Sequence, residues 1–400
     1  MTTQQAPSLA PAGPRVAALP LLALCGVWLA TRLGMAVLLV TDDIGIGGVS
    51  TEVSVLYARW SGRLLGGAFP PDDPTWQYPP GAGAVIMAPA LFPWLTYFQA
   101  FAALALLADA VVTAALARAG GAGGPGVWMW TGGLPLLMHI PLARYDVQVT
   151  ALAVLALLAV HRRPRLGGAL AGLGAAVKVW PALTLLGTPR GRTTRLAWAS
   201  AAAAAIGTVA ALALGLAGPF GFLRQQGERG VQVESLGGSV LALNRLLGGE
   251  GRVEYRYGAF EFTGPYVTLV ARVSLLLTAA AFLLLLLWRL RARRWSDATP
   301  FDAALCAVLL FTVTSRVISP QYLIWLLGLT AVCLTSRHTS QRPVALLLLP
   351  ATALSTLAYP VLYQDVIDVT PVGGGVVLVR NLLLLAAAAL SARRLWAATV

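Results

Sequence analysis

The sequence predicts an all-α polytopic membrane protein, and three observations carry that prediction. Of the 400 residues, 58% are hydrophobic and only 11% charged, with a mean hydropathy of +0.74, so the chain cannot cover itself in a water-facing surface and its solvent is mostly lipid. Apolar runs recur along the chain, separated by arginine clusters or by short polar, proline-containing breaks. The charges also segregate. Of the 16 acidic residues, 13 fall in the expected outer loops and hairpin apices, the exceptions being Asp109 within the second span and Asp297 and Asp302 at the cytoplasmic side. The net charge of +13 then marks cytoplasmic loops by the positive-inside rule rather than a nucleic-acid surface. Cys25, Cys306 and Cys333 all lie in apolar runs with no metal-ligand spacing, which argues against a zinc site or a disulfide framework.

Taken in order, residues 1–17 read as a disordered cytoplasmic leader, followed by one transmembrane domain over 18–396. Ala18 to Val40 is long enough to span a bilayer and lacks a small-residue cleavage site, so it reads as a retained anchor with its N-terminus inside. Arg32, in the outer half of that span, must either snorkel to the interface or reach a polar cavity. The outer loop 41–80 comes next. Val53, Leu56, Trp60 and Leu64 give its first half a helical apolar stripe that begins near Glu52, while its second half, from Pro70 to Pro80, holds too many prolines to remain helical. Asp72 and Asp73 read as residues that shape this loop. A short helix over Gly81 to Phe92 and a span over Pro93 to Ala117 return the chain to Arg118.

From Gly126 onward the hairpins are too short for the membrane. Between Arg118 and Arg162 each arm has about 15 residues, roughly 22 Å at helical rise against a hydrocarbon core of about 30 Å, so the apex Arg144-Tyr145-Asp146 lies below the surface. The next hairpin breaks at Lys178-Val179-Trp180-Pro181, and a later one, over 301–336, at Ser315 to Tyr322. Polar broken backbone at that depth persists only where it lines a cavity. A span over Trp198 to Ala217 leads to a second outer loop, 218–263, and Tyr266 to Trp288 returns inside. Two last helices flank a small outer loop with Asp365 and Asp368, and Arg393 and Arg394 leave the C-terminus inside, making about twelve transmembrane or half-membrane helices.

Lys178 is the only lysine beside 28 arginines, and it stands at a broken helix. A buried ammonium needs a carboxylate or a phosphate. One reading pairs it with Asp109 or Asp146; the other has it bind the phosphate of a lipid-linked donor, with Arg144 or Arg316 contributing a guanidinium. Asp109 reads as a helix-packing or lysine-pairing group, and His139 as a satisfied core histidine. Gly120 to Gly126 follows no strand and reads as a flexible turn.

Five motifs now stand in order: Trp76-Gln77-Tyr78-Pro79-Pro80-Gly81, Arg144-Tyr145-Asp146, Lys178-Val179-Trp180-Pro181, Arg229-Gly230 through Glu234-Ser235, and Ser319-Pro320-Gln321-Tyr322. Together they resemble the actinobacterial polyprenol-phosphate-mannose-dependent α-1,2-mannosyltransferases of the GT-C superfamily. The resemblance implies a GT-C-like fold and transfer of a sugar, mannose in that family, from a polyprenyl-phosphate donor to a glycolipid or glycan acceptor at the extracytoplasmic face of the cell membrane, without metal or cofactor. It implies a catalytic Asp five residues before Tyr57, where this chain has Glu52; Asp43 is the alternative base. It further implies substrate contacts at Tyr57, Trp76, Gln77, Tyr78, Asp146, Glu234, Gln321 and Tyr322, with Trp60 offering another flat face to a sugar. A transporter or flippase of lipid-linked sugars is the rival class, and against it the sequence shows no internal repeat of the kind such folds often have.

Overall fold

A computed structural model describes residues 14–70 and 73–400, so residues 1–13 of the expected leader and Asp72 lie outside the described residues. The first helix, α1 (Pro14–Thr41), begins inside the stretch expected to be leader. Among the described residues, six helices are long and apolar enough to cross a membrane. They are α1 from Leu19, α4 (Tyr97–Gly120), α8 (Arg192–Gly215), α11 (Val267–Arg291), α14 (Arg342–Thr356) with its continuation to Val361, and α16 (Pro371–Thr399).

The short helices sit inside. α5 (Pro125–Gly133), α6 (Asp146–Val160), α7 (Pro164–Val177), α12 (Thr299–Thr314) and α13 (Tyr322–Cys333) form the interior, and every residue of α13 from Leu323 to Cys333 is buried. Long helices such as α8 and α11 present most of their side chains outward. Length and position follow from one rule: a helix facing lipid must span it, whereas one wrapped by protein can stop midway if its end groups find partners. The expected breaks are present, between α5 and α6, at Lys178-Val179 after α7, and between α12 and α13.

Close approach of α7 and α8 depends on glycine. A Cβ on Gly168 would lie 2.0 Å from the Ala197 carbonyl oxygen, and one on Gly172 would lie 2.2 Å from that of Ala201. This is small-residue packing of the kind that joins helices where lipid offers no hydrophobic drive.

The arginine-rich turns share one end of the bundle. Arg190 donates to the carbonyls of Arg289 and Leu290, Arg394 to that of Ser340, and His161 Nε2 meets the Asp297 carbonyl. An apolar cavity of about 210 Å³ between Trp288, Cys306 and Trp396 offers no polar constellation. The opposite end, here called the loop end, carries 41–80 and 218–263. The second of these segments is more than a loop: α9 (Phe222–Glu228), α10 (Leu236–Leu246) and a three-stranded antiparallel sheet fold within it. The sheet runs in the order β1 (Val231–Gln232), β3 (Ala259–Thr263), β2 (Arg252–Arg256), with Val231 opposite Phe262 and Tyr255 opposite Phe260.

Arg32 does not snorkel. Its Nε and Nη2 meet the two carboxylate oxygens of Asp109 at 2.7 and 2.9 Å, its Nη1 donates to the Thr131 carbonyl at 2.7 Å, and Trp130 Nε1 donates to Asp109 at 2.7 Å, all inside the protein. The pair therefore clamps α1, α4 and α5 together, and Asp109 serves packing rather than Lys178. Breaking such a buried pair strands a charge. Arg32→Ala or Asp109→Ala should destabilise the protein by about 3–5 kcal/mol, whereas the joint replacement Arg32→Met with Asp109→Leu should recover most of the loss. Thermal unfolding of the purified protein in detergent measures both, and single variants as stable as the parent would contradict the clamp.

Candidate functional site

The site grows from the apex between α5 and α6. Two 3₁₀ turns, Leu134–Leu137 and Ile140–Ala143, each start with a proline near their first position, which removes a backbone donor and stops α5 from continuing. The chain reaches Arg144 in extended conformation and re-enters a helix at Asp146. Arg144 and Asp146 thereby send opposite charges to two different partners.

Arg144 Nη2 lies 2.9 Å from Glu52 Oε2, and its Nη1 donates to the Ala143 carbonyl at 2.8 Å. The other oxygen of Glu52 accepts from the Tyr57 hydroxyl at 3.1 Å. Glu52 opens a π-helical turn, Glu52–Tyr57, that runs into α2 (Ala58–Leu65), so the residue one turn along the helix buttresses it. Its side chain remains 25% exposed while Arg144 is buried. A fixed carboxylate with an open side is what proton abstraction needs.

Asp146 receives Lys178 Nζ at 2.6 Å and Trp325 Nε1 at 2.6 Å. The ammonium also lies over four rings, 4.9 Å from Tyr145, 5.0 Å from Trp325, 5.6 Å from Tyr78 and 5.9 Å from Tyr322. An ammonium has three donors, and here one goes to Asp146 while the faces of the rings stabilise the charge. Beside it Val179 is 67% exposed, so the break that carries the cation reaches the outer surface of the bundle. Gly81 lets the first loop lie against this break, because a Cβ there would meet the Ala176 carbonyl at 2.5 Å. Tyr57 and Tyr145, with ring centroids 5.9 Å apart, separate the two charged centres.

A third group sets the first loop. Asp42 accepts from Val49 N, Ser50 N and Ser50 Oγ and lies 3.1 Å from His139 Nε2. Burial works to raise its pKa, but the bonds from Ser50 and His139 prevail and hold the carboxyl below the usual range. His139 is therefore a tie between the apex hairpin and the loop that delivers Glu52. Asp73 shapes the second half of that loop, accepting from Trp60 Nε1 at 2.9 Å and from Thr75, with Arg59 at 3.3 Å.

Several expectations change. Asp43 is exposed, its side chain makes no polar contact among the described residues, and it does not join the cluster around Asp42. Arg144 is committed to Glu52 and not placed with Lys178, and Arg316 donates to the carbonyls of Arg229 and Gln226 at 2.7 and 3.3 Å, strapping the second loop. Trp76 is buried against Trp60, Phe69 and Tyr78, so neither it nor the equally buried Trp60 offers a free face to a sugar. Gln77 clasps the two loops together by donating to Tyr257 O at 2.8 Å while Gln226 donates to its own carbonyl. Tyr57 is buried and supports Glu52, while Tyr78 and Tyr322 stay half-buried at the ammonium and Gln321 half-buried at the start of α13. Trp325 was not anticipated, although its spacing one helical turn beyond Tyr322 gives the stacked pair at 4.0 Å.

Glu234 lies deeper. It is fully buried, its Oε2 accepts from Gln232 at 3.2 Å, and Arg380 stands 3.9 Å from Oε1. Burial pushes its carboxyl up to about 7, with Arg380 opposing.

A family model described as Glycosyltransferase family 87 matches residues 76–320. No curated protein and no solved structure matches the chain.

The Glu234 environment makes a pH prediction. An acid that is neutral in the folded protein up to about pH 7, yet ionises near 4.5 when unfolded, binds a proton in the folded state alone across that window, so stability falls as pH rises through it. Thermal melts should show the parent losing stability between about pH 5 and 7 relative to Glu234→Gln. Parallel pH profiles for the two proteins would contradict the assignment.

Proposed function

Because the chain belongs to glycosyltransferase family 87, we propose that it is a GT-C-type mannosyltransferase of the cell membrane that takes its sugar from a polyprenyl-phosphate donor at the extracytoplasmic face. The observation that carries this reading is the division of labour at the apex, with a partly exposed carboxylate on one side and, on the other, an aromatic-walled ammonium next to the exposed Val179.

In this scheme the acceptor hydroxyl gives its proton to Glu52 as its oxygen attacks the anomeric carbon. The bond from that carbon to the phosphate oxygen breaks, the electron pair goes to polyprenyl phosphate, and the anomeric centre inverts. A general base of this kind contributes about 10²–10⁴-fold. Arg144 and Tyr57 orient the carboxylate, and Lys178 directs its remaining donors at the phosphate as negative charge grows in a water-poor setting. The polyprenyl chain lies in the bilayer beside Val179. The acidic loop end faces outward and the arginine-rich end inward, following the positive-inside rule. Glu52 is preferred to Asp43 as the base because it alone of the two is held at the cluster. Membership in a glycosyltransferase family weighs against the transporter alternative.

The test uses the purified protein in lipid nanodiscs with radiolabelled polyprenyl-phosphate mannose and a mannoside acceptor. Glu52→Gln should lower transfer by about two orders of magnitude or more while donor binding persists. Lys178→Arg should weaken donor use, since a planar fork does not replace a compact ammonium inside four rings. Full activity in Glu52→Gln would remove the base assignment, and transfer from a nucleotide sugar instead of the lipid donor would remove the donor class.

A further inference from the structure

The β2–β3 hairpin hangs over the same site without entering the scheme above. Its tip is fastened to the first loop, with Gln77 Nε2 donating to the Tyr257 carbonyl at 2.8 Å and Gly258 set against Thr75. The strand it presents toward solvent is the edge strand β2, on which Arg252, Glu254 and Arg256 alternate with Val253 and Tyr255. Val253 and Tyr255 share the face that packs on the small core of Phe262, Phe260 and Tyr363. Tyr255 projects past the edge of that core, 62% exposed, yet is held by an edge contact with Phe260 at 5.3 Å.

From Tyr255 the aromatic contacts continue inward. Phe260 meets Tyr363 at 5.8 Å, Tyr363 meets Tyr359 at 4.7 Å, and the Tyr359 hydroxyl faces Arg144, the partner of Glu52. The Tyr255 hydroxyl also lies in the field of Glu52, Arg144 and Asp73. An exposed aromatic is therefore fixed at the rim of the carboxylate side. Its strand neighbours Arg252, Glu254 and Arg256 are exposed and charged, which suits an aqueous approach to the hairpin.

We propose that Tyr255 is an acceptor subsite, a platform on which a pyranose ring of the acceptor stacks while a hydroxyl of that ring or of its neighbour reaches Glu52. The chemistry suits a sugar. The face of an aromatic ring is negative and attracts the polarised C–H bonds on the apolar face of a pyranose. The acceptor is then a saccharide, entering from the aqueous side and opposite the lipid-borne donor. This inference rests on the proposed role of Glu52 for its direction, but the binding it describes requires no catalysis.

The test measures binding of octyl α-mannobioside to the full-length protein in nanodiscs. Saturation-transfer NMR with irradiation of aromatic protons should light up the ring C–H signals of the sugar more than the octyl chain. Tyr255→Ala should raise Kd about tenfold, and Tyr255→Phe should stay near the parent because the ring is kept. The melting temperature should be unchanged in Tyr255→Phe, which keeps the ring contact with Phe260, and lowered only slightly in Tyr255→Ala. Equal affinity in Tyr255→Ala, or no preference of the parent for octyl mannobioside over octyl glycerol, overturns the subsite. Transfer that is indifferent to Tyr255 sinks this subsite alone, whereas Tyr255-dependent sugar binding in a protein that transfers nothing sinks the enzymatic scheme and leaves the subsite standing.

Discussion

Two opposite charges separated by one residue at a broken hairpin are the constraint on which the rest of this structure depends. Charges inside a membrane protein are costly unless paired, and Arg144 and Asp146 cannot neutralise each other while facing different ways. Each therefore draws in a distant element, Arg144 the start of the Glu52 helix and Asp146 the broken end of α7 with Lys178. Satisfying the apex thus brings a carboxylate and an ammonium to the two sides of one aromatic partition built from Tyr57 and Tyr145. The polar groups are in place before any substrate arrives, which is the condition under which electrostatic stabilisation is largest.

The surrounding loops serve that geometry more than they add chemistry to it. Asp42 and His139 fix the turn before Glu52, Asp73 holds Trp60 and Thr75, and Gln77 with Gln226 joins the first loop to the second. Arg316 and Glu234 lie in the same supporting layer, one through backbone carbonyls and the other through Gln232 and Arg380. Long helices around the rim face lipid, while short ones inside can end where the site requires an end.

Much of this was legible in the sequence because lipid imposes simple rules. Composition alone excludes a water-facing fold, and the breaks at Arg144 to Asp146, at Lys178 and at Ser315 to Tyr322 announce themselves by charge and proline in otherwise apolar runs. The pairings were not legible to the same degree. Asp146 stood as one of two partners for Lys178, and nothing along the chain distinguishes it from Asp109; the choice is made by α1, which supplies Arg32 to Asp109. Motif residues were visible without their roles. Trp76 and Gln77 look like substrate contacts in a list of aromatics and amides, but packing turns one inward and uses the other as a clasp. The small sheet escaped notice because its strands are two to five residues long and sit in a polar segment, so neither length nor hydrophobic alternation marks them.

The central claim is that the apex sets a base and a phosphate-binding cation on opposite sides of the anomeric carbon. A structure of the protein with a non-transferable polyprenyl-phosphonate mannose analogue tests it most directly. The account predicts the phosphonate within hydrogen-bonding distance of Lys178 Nζ, the lipid chain leaving past Val179, and the sugar turned so that the face of its anomeric carbon away from phosphorus looks toward Glu52. A phosphonate bound at Arg316 or at the arginine-rich end, with Lys178 still closed on Asp146 and no sugar near Glu52, would contradict it.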